Sequence, residues 1–423
     1  MTLIGPTIAG EMDGWPESLR PAFKHIRPWF EFATGAMMNR DEYLAAVRPK
    51  IEMHKKAFPG IYVLAELEAN LVPLNCENLA WKDELPLTYG DRTRPDSRYG
   101  AYATQSATAK IDAISPLKDS ILRSADGRAL LDSYFIYAGQ PIVNLMVQPE
   151  LNNARFRQIL EQIDFLVDNA GFNGIYVDQF PPKPREGYSY DRWDGRSVTL
   201  QADGTIATKF YSYAYTGVSA RVKIIEKVRA KGCLFRCNGS PVSKEEQAMR
   251  IFSFHEQENS RFEPMLFLDG KPPETISQVS AHLAPSPATM LLRPAHYTRD
   301  HSLFPRIVTK GIIMALRNGV IPYYYNLGSV GAGVNCDLGN HLFPFTTVEL
   351  HEGFLIGAER TVTAVSGEFG LSGKKPPTIY CYDRDGNPKN PAGMVTVSGL
   401  PEHWTVSVKL DDWNAVAIME VGD

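Results

Sequence analysis

The sequence feature that most constrains the fold of this chain is a helix pattern, which ends at a glycine and is followed by a short apolar strand ending in aspartate. Residues 152–170 include apolar side chains at helical spacing, and Gly171 lies where such a helix would end. Gly174-Ile-Tyr-Val-Asp178 then has the length and apolar content of a buried strand. A helix followed directly by such a strand is typical of parallel sheets, whose functional side chains gather where strands end. Asp178 is therefore the first candidate for a functional residue.

Strand and helix signals alternate along most of the chain. Helices are predicted over 39–58, 152–170, 209–231, 243–250 and 304–317, and strands over 61–68, 141–147, 174–178, 233–238, 251–256, 289–293 and 320–325. An eighth strand fits 27–34. Connections of this length imply a parallel sheet, and we predict a (β/α)8 TIM barrel rather than a doubly wound sheet. The absence of GxGxxG and GxxxxGK[ST] motifs also weighs against a nucleotide-binding version.

The alternation is interrupted twice. Residues 70–139 form a long irregular stretch, which we interpret as an insertion in the barrel. From about Arg360 the pattern changes to short alternating runs with turn signals at Asp385-Gly386 and Gly399. The predicted domains are therefore a barrel over 1–358 and a small antiparallel, β-sandwich-like domain over 359–423.

Composition excludes several classes of function. The net charge of −4 gives no reason to expect a nucleic acid partner, and no apolar run is long enough to span a membrane. The N-terminal residues lack a signal-peptide pattern, and the 5 cysteines are widely spread without a CxxC pair or HExxH. We therefore expect a cytoplasmic protein without a metal or cofactor.

Strand alternation predicts which side chains share a site. Successive side chains point to opposite faces, and in a barrel the outward face packs on helices and is apolar. In 174–178 this rule directs Ile175 and Val177 outward, leaving Tyr176 and Asp178 inward. Applied to the other strands, it directs inward Glu66, Glu68, Asn144, Arg236, Asn238 and Arg293.

The strand at 251–256 is less regular. Phe252 and Phe254 face the helices, which places His255 inward and Glu256 outward. A bend at the strand end would turn Glu256, or the nearby Glu258, into the site. Either glutamate is then a candidate acid, and a solvated loop carboxylate is the alternative interpretation.

Together these residues resemble retaining glycoside hydrolases of the α-galactosidase clan and its relatives. The resemblance rests on Asp178 closing the fourth predicted strand, a carboxylate near the end of the sixth, and the trailing β domain. Tyr188-Ser-Tyr-Asp-Arg-Trp-Asp-Gly195 looks like a substrate-facing loop of such enzymes. In sequence the likeness is mainly confined to 174–180. The clan uses aspartate as the acid where this chain has glutamates, so Asp269 is a reserve candidate.

The resemblance implies an oligosaccharide or glycoside substrate and two catalytic carboxylates. Asp178 would attack the anomeric carbon, and Glu256 would protonate the leaving oxygen. Trp193 would stack on a ring face, unless it anchors the loop. The remaining predicted substrate-binding residues are Glu66, Asn144, Tyr176, Asp191, Arg236, Asn238, His255, Glu258 and Arg293.

Two other classes of function stay open. One is a metal-dependent barrel hydrolase or lyase with Glu66, Glu68, Asp178 and His255 as ligands. Its weakness is the lack of histidines at metal-binding spacing. The other is a carbohydrate-binding barrel without catalytic activity. The sugar, its anomer, and the choice between retention and inversion are not specified by any motif.

Overall fold

The computed structural model describes residues 2–6, 40–57, 59–60, 62–75, 79–85, 101–132, 142–178, 180, 187–238, 243–255, 288–292, 300–317, 319, 321–324, 337–342, 345, 347–411 and 415–422. The chain divides into two compact units, Met1–Phe252 and Ser253–Asp423. The first unit combines helices with parallel and antiparallel strands, and antiparallel strands dominate the second.

The first unit begins with an N-terminal strand that pairs in parallel with the second strand, and it contains further strands and helices. Its strands are β1 (Thr2–Pro6), β2 (Val63–Glu68), β3 (Leu71–Asn75), β4 (Ala101–Tyr102), β5 (Leu130–Asp132), β6 (Ile142–Met146), β7 (Gly174–Asp178), β8 (Tyr188–Ser189), β9 (Val198–Leu200), β10 (Ile206–Lys209), β11 (Tyr211–Ser212) and β12 (Leu234–Asn238). Its helices are α1 (Arg40–Ala57), α2 (Gln105–Ile114), α3 (Ala154–Asp164), α4 (Tyr213–Thr216), α5 (Val218–Ala230) and α6 (Lys244–Ala248). A π-helical turn, Phe165–Ala170, directly extends α3.

A parallel sheet with the order β1-β2-β7-β12 forms the centre of this unit. One face of the sheet is apolar, as the alternation predicts, and it packs against side chains of α1, α3 and α5. The sheet contributes Val63, Ala65, Leu67, Ile175, Val177, Phe235 and Cys237 to this core. Burial of each large aliphatic side chain stabilises the folded state by ~1.5–3 kcal/mol. Because this burial fixes which face of each strand packs on the helices, it also fixes which side chains lie on the opposite face.

Capping residues determine where β7 starts. The side chain of Asn153 accepts a hydrogen bond from the Phe156 amide and begins α3. Gly171 ends the π-helical turn with a φ of 89°, a left-handed conformation that glycine adopts without strain. Asn173 then accepts a hydrogen bond of 2.6 Å from the Val63 amide, which ties the start of β7 to β2.

The predicted helix over 209–231 is shorter in the structure. Lys209 belongs to β10, and the helical part is α4 followed by α5 with a break at Gly217. A Cβ at this glycine would lie 2.0 Å from the Tyr213 ring, so the close packing of that ring on the backbone requires glycine. The short helix α6 lies within the helix predicted over 243–250, and Ser243 and Glu246 form a capping box at its start.

The segment after β2 corrects two predictions. Residues 70–139 are not simply irregular, because they contribute β3, β4, β5 and α2 to a separate layer. The strand predicted over 141–147 is β6, and it pairs antiparallel with β3 and β5 rather than joining the parallel sheet. Its apolar side chains pack in a second core with those of β3 and α2. Among the described residues, β7 therefore follows β1 and β2 as the third strand of the parallel sheet along the chain.

The second unit joins a parallel part to antiparallel sheets. Its strands are β13 (Phe252–His255), β14 (Ala288–Leu292), β15 (Ile321–Tyr324), β16 (Thr347–His351), β17 (Phe354–Gly357), β18 (Arg360–Thr363), β19 (Gly367–Leu371), β20 (Lys375–Tyr382), β21 (Pro388–Lys389), β22 (Val395–Leu400), β23 (His403–Val408) and β24 (Val416–Gly422), and its helices are α7 (Phe304–Arg317) and α8 (Asp337–Leu342). Strands β13, β14 and β15 are parallel, and α7 has the predicted bounds.

Two antiparallel sheets follow, with the orders β16-β17-β18-β24-β20-β21 and β19-β23-β22. The first of these strands begins at Thr347, upstream of the predicted boundary at 359. Side chains of α7 and α8 pack on the larger sheet. Other apolar side chains of this sheet form a separate cluster with those of the smaller sheet.

The eighth strand predicted over 27–34 lies outside the described residues. Within the part of the chain that the structure describes, no helix has the length and apolar character that crossing a membrane requires.

Candidate active site

The face of the parallel sheet opposite the apolar core carries two rows of predicted site residues. In the first row Glu66 is the register partner of Tyr176, which is in turn the partner of Arg236. In the second row, two residues further along, Glu68 is the partner of Asp178. Side chains of register partners on adjacent parallel strands point the same way. The alternation therefore brings these five residues together at the C-terminal ends of β2, β7 and β12.

The carboxylates of this face form a tight cluster. Each of Glu66, Glu68 and Asp178 has an oxygen that lies within 4.8 Å of the others' oxygens. Tyr176 donates a hydrogen bond of 3.2 Å from its hydroxyl to Oδ1 of Asp178. Glu68 is 6% exposed, whereas Glu66 and Asp178 are only partly buried. Glu68 is thus the most buried of the three carboxylates, among the residues that the structure describes.

Charge repulsion limits what this cluster can do by itself. Three carboxylates at this spacing repel each other unless a proton, a cation or hydrogen-bond donors offset their charge. Arg236 is 2% exposed and lies in the row next to Tyr176, so a buried positive charge belongs to the same face. Such an arrangement suits a carboxylate nucleophile beside a second carboxyl group, and it also suits oxygen ligation of a divalent cation.

The loop after β7 holds Asp191 and Trp193. Asp191 is exposed and accepts a hydrogen bond of 2.7 Å from the Ser189 hydroxyl. Trp193 is 45% exposed, and its indole N–H donates to the Ser197 carbonyl at 3.0 Å. Lys209 places its Nζ 4.4 Å from the centre of the Trp193 ring. The loop-anchor interpretation of Trp193 therefore holds for one edge of the ring, while part of its surface is accessible.

Asp194 organises this loop, a role that the sequence did not reveal. Its carboxylate accepts hydrogen bonds from the amides of Arg196, Ser197 and Ser212 and from the Ser197 hydroxyl. Burial alone would raise the pKa of Asp194, but these donors outweigh it and lower the pKa to about 2. The signal in the sequence was an aspartate followed by glycine and a serine three residues on, which is common to many turns.

Several predicted site residues take no part in the described cluster. Asn144 is buried in β6, opposite Pro73 and Asp132, so its assignment to the parallel sheet was wrong. The error arose because an apolar strand has the same alternation in either kind of sheet. The side chains of Asn238 and His255, and the whole of Glu256, Glu258, Asp269 and Arg293, lie outside the described residues.

Glu68 is the residue whose importance the sequence underestimated. The alternation directed it to the same face as Glu66, but it was assigned a role only in the metal-binding alternative. Its place opposite Asp178 follows from the register of β2 on β7, in which Glu66 pairs with Tyr176. Pairing register depends on the packing of whole strands, and a single sequence does not show it.

No protein-family model matches the sequence, and no curated protein matches it either. Solved structures with some similarity include a noncanonic maltogenic alpha-amylase from Thermotoga neapolitana, with 10% identity and a TM-score of 0.39 over 99% of this chain and 89% of that one. A GH31 family sulfoquinovosidase from E. rectale has 10% identity and a TM-score of 0.36, over 89% of this chain and 52% of that one. This chain therefore corresponds to about half the length of the sulfoquinovosidase.

A GH27 β-L-arabinopyranosidase from Geobacillus stearothermophilus has 8% identity and a TM-score of 0.33, over 89% of this chain and 77% of that one. Similarity at this level carries no argument about chemistry. The function of this chain is therefore argued from its own residues.

Proposed function

We propose that this chain is a glycoside hydrolase built on a (β/α)8 barrel, acting on an oligosaccharide or glycoside. The observation that carries the proposal is the position of Asp178 at the end of a parallel strand. One of its oxygens lies within 4.8 Å of oxygens of two further carboxylates. Barrel enzymes hold their catalytic groups at this end of the strands. Parallel strands that follow each other along the chain in both units support the barrel.

In the proposed mechanism Asp178 is the nucleophile of a retaining reaction. One oxygen of Asp178 attacks the anomeric carbon while an acid protonates the leaving oxygen, and the same group then activates water to hydrolyse the glycosyl ester. The hydrogen bond from the Tyr176 hydroxyl to Oδ1 orients the Asp178 carboxylate for this attack. Arg236 on the same face would bind a hydroxyl or an acidic group of the sugar.

Two glutamates compete for the role of the acid. Glu256 follows β13 and is the choice that the sequence favours. Glu68 lies within 4.8 Å of Asp178, which is close to the ~5 Å that separates the carboxyl groups of retaining enzymes. Glu256→Gln and Glu68→Gln separate the two, because loss of the acid affects aryl glycosides with poor leaving groups far more than activated ones. Glu66, Asp191, Trp193 and Asn238 would bind the sugar around this pair.

A screen of aryl glycosides covering both anomers tests the proposal. The unmodified protein is expected to hydrolyse at least one of them, and Asp178→Asn is expected to lose turnover by roughly 10⁴-fold. Asp168→Asn is a matched control, since Asp168 pairs with Lys231 away from the cluster. Full turnover by Asp178→Asn would contradict the assignment of the nucleophile.

The carboxylate cluster also favours a second candidate, a metal-dependent barrel hydrolase or lyase. Oxygens of Glu66, Glu68 and Asp178 within 4.8 Å of one another fit a hard divalent cation such as Mg²⁺, Mn²⁺ or Ca²⁺. The same screen run in EDTA distinguishes the two candidates. Activity that is unchanged by the chelator supports the glycosidase, and loss that is restored by a divalent cation supports the second candidate.

A further inference from the structure

Arg155 is the most deeply buried charged residue next to the candidate site. It lies in the first turn of α3, and its side chain is 0% exposed. Its Nε donates to the Ala69 carbonyl at 3.2 Å, and one Nη donates to the Glu68 carbonyl. The other Nη donates to Oε1 of Gln158 at 2.7 Å. Removing a guanidinium group from water costs free energy, so an arginine in such a position needs hydrogen-bond acceptors for its N–H groups.

The two carbonyls that Arg155 binds mark the end of β2. The strand stops at Glu68, and the chain bends through Ala69 and Asn70 before β3 begins. At this bend the ladder of β2 no longer holds the backbone. Glu68 nevertheless has to keep its side chain beside Asp178, its register partner. The direction of a side chain at a strand end depends on how its own peptide groups are held.

We propose that Arg155 is a positioning residue that acts through Glu68 and thereby sets the geometry of the carboxylate cluster. Its planar fork reaches two consecutive carbonyls from separate nitrogens held in one rigid plane, whereas a lysine has all its donors on one flexible nitrogen. The expected effect of Arg155 on catalysis rests on the proposed function, whereas its effect on the position of Glu68 does not depend on that function.

Arg155 is in turn held by the insertion. The hydroxyl of Ser120 accepts the Arg155 amide N–H at 3.1 Å, and the Asp119 carboxylate accepts the Ala154 amide N–H at 3.0 Å. Ser120 and Asp119 thus serve as caps for α3 from another part of the chain. The first turn of α3 is therefore fixed from both sides, by the insertion and by the end of β2.

Crystal structures of Arg155→Met and Arg157→Met test the proposal. Arg157 is in the same helix, is exposed and bonds to the Asn152 carbonyl, so it is a matched control. In Arg155→Met we expect the closest oxygens of Glu68 and Asp178 to separate beyond the 4.8 Å of the native cluster. In Arg157→Met this distance is expected to stay unchanged. If Arg155→Met does not fold, Arg155→Lys is used, and its single ammonium is expected to release at least one carbonyl and displace Glu68.

An unchanged cluster in any folded Arg155 variant would overturn the proposal. The kinetic readout is kcat on the aryl glycoside selected by the screen, which is expected to fall by about 100-fold in Arg155→Met with KM little changed. A purely structural role would lower the melting temperature without this split between kcat and KM. If the unmodified protein hydrolyses no glycoside, the proposed function fails, whereas the displacement of Glu68 still decides whether Arg155 positions it.

Discussion

At the scale of single residues, the hydrogen bond from Tyr176 to Asp178 is the most specific contact of the site. Both side chains belong to β7 and share a face because they are two residues apart. The Tyr176 hydroxyl donates to Oδ1 of Asp178 at 3.2 Å, and its ring is 5% exposed. The ring thus contributes to packing, while the hydroxyl acts on the carboxylate.

Tyr176→Phe separates these two contributions. The substitution keeps the ring, so the melting temperature is expected to change little. Loss of a hydrogen bond to a charged group costs about 1.5–3 kcal/mol, so kcat on a responsive aryl glycoside is expected to fall by roughly 10–100-fold. Steady-state kinetics and a thermal melt of the same preparation measure both effects. A variant with native kcat would show that the hydroxyl does not orient Asp178 during the reaction.

At the scale of elements, Asp194 determines the conformation of the loop between β8 and β9. Its carboxylate accepts hydrogen bonds from four donors, and these lower its pKa to about 2, well below the ordinary value of an aspartate. A group whose pKa is lower in the folded state contributes stability above its unfolded pKa and loses it as pH falls through the folded value. The contribution of Asp194 is therefore present at neutral pH and lost between about pH 4 and about pH 2.

Asp194→Asn is expected to destabilise the protein at neutral pH by about 1–2 kcal/mol, because an amide replaces a charged acceptor. This difference from the unmodified protein is expected to shrink as the pH is lowered from about 4 towards 2. Chemical denaturation at several pH values measures it. Asp191→Asn in the same loop is the control, since among the described residues Asp191 accepts one side-chain hydrogen bond, from the Ser189 hydroxyl. A difference in stability that does not depend on pH would contradict the role of the ionised carboxylate.

Elements with strong local signals were predictable from the sequence. The bounds of α7 and the presence of a helix at α6 depend on local spacing, and the structure agrees with both predictions. The alternation of β2, β7 and β12 also identified the core-facing side chains correctly. By contrast β6 was assigned to the wrong sheet, because its apolar pattern does not say which strand it pairs with. β1 was missed, since a five-residue strand with glycine and proline has no strong signal.

At the scale of the whole molecule, the candidate site follows from how distant segments meet. Glu68 and Asp178 are more than a hundred residues apart in sequence, and the pairing of β2 with β7 brings them together. The sequence predicted that both face the same side, but it did not predict their register. The contribution of Arg155 was hidden as well, since an arginine in the first turn of an amphipathic helix is usually exposed.

The central claim is that Asp178 is the nucleophile of a glycosidase, and azide rescue of Asp178→Gly tests it most directly. The variant is supplied with sodium azide and the activated aryl glycoside that the unmodified protein hydrolyses, and the product is identified by NMR. Azide occupies the place of the missing carboxylate, so we expect recovered turnover and a glycosyl azide of inverted anomeric configuration. A glycosyl azide of retained configuration would contradict the claim, as would native turnover by Asp178→Gly without azide.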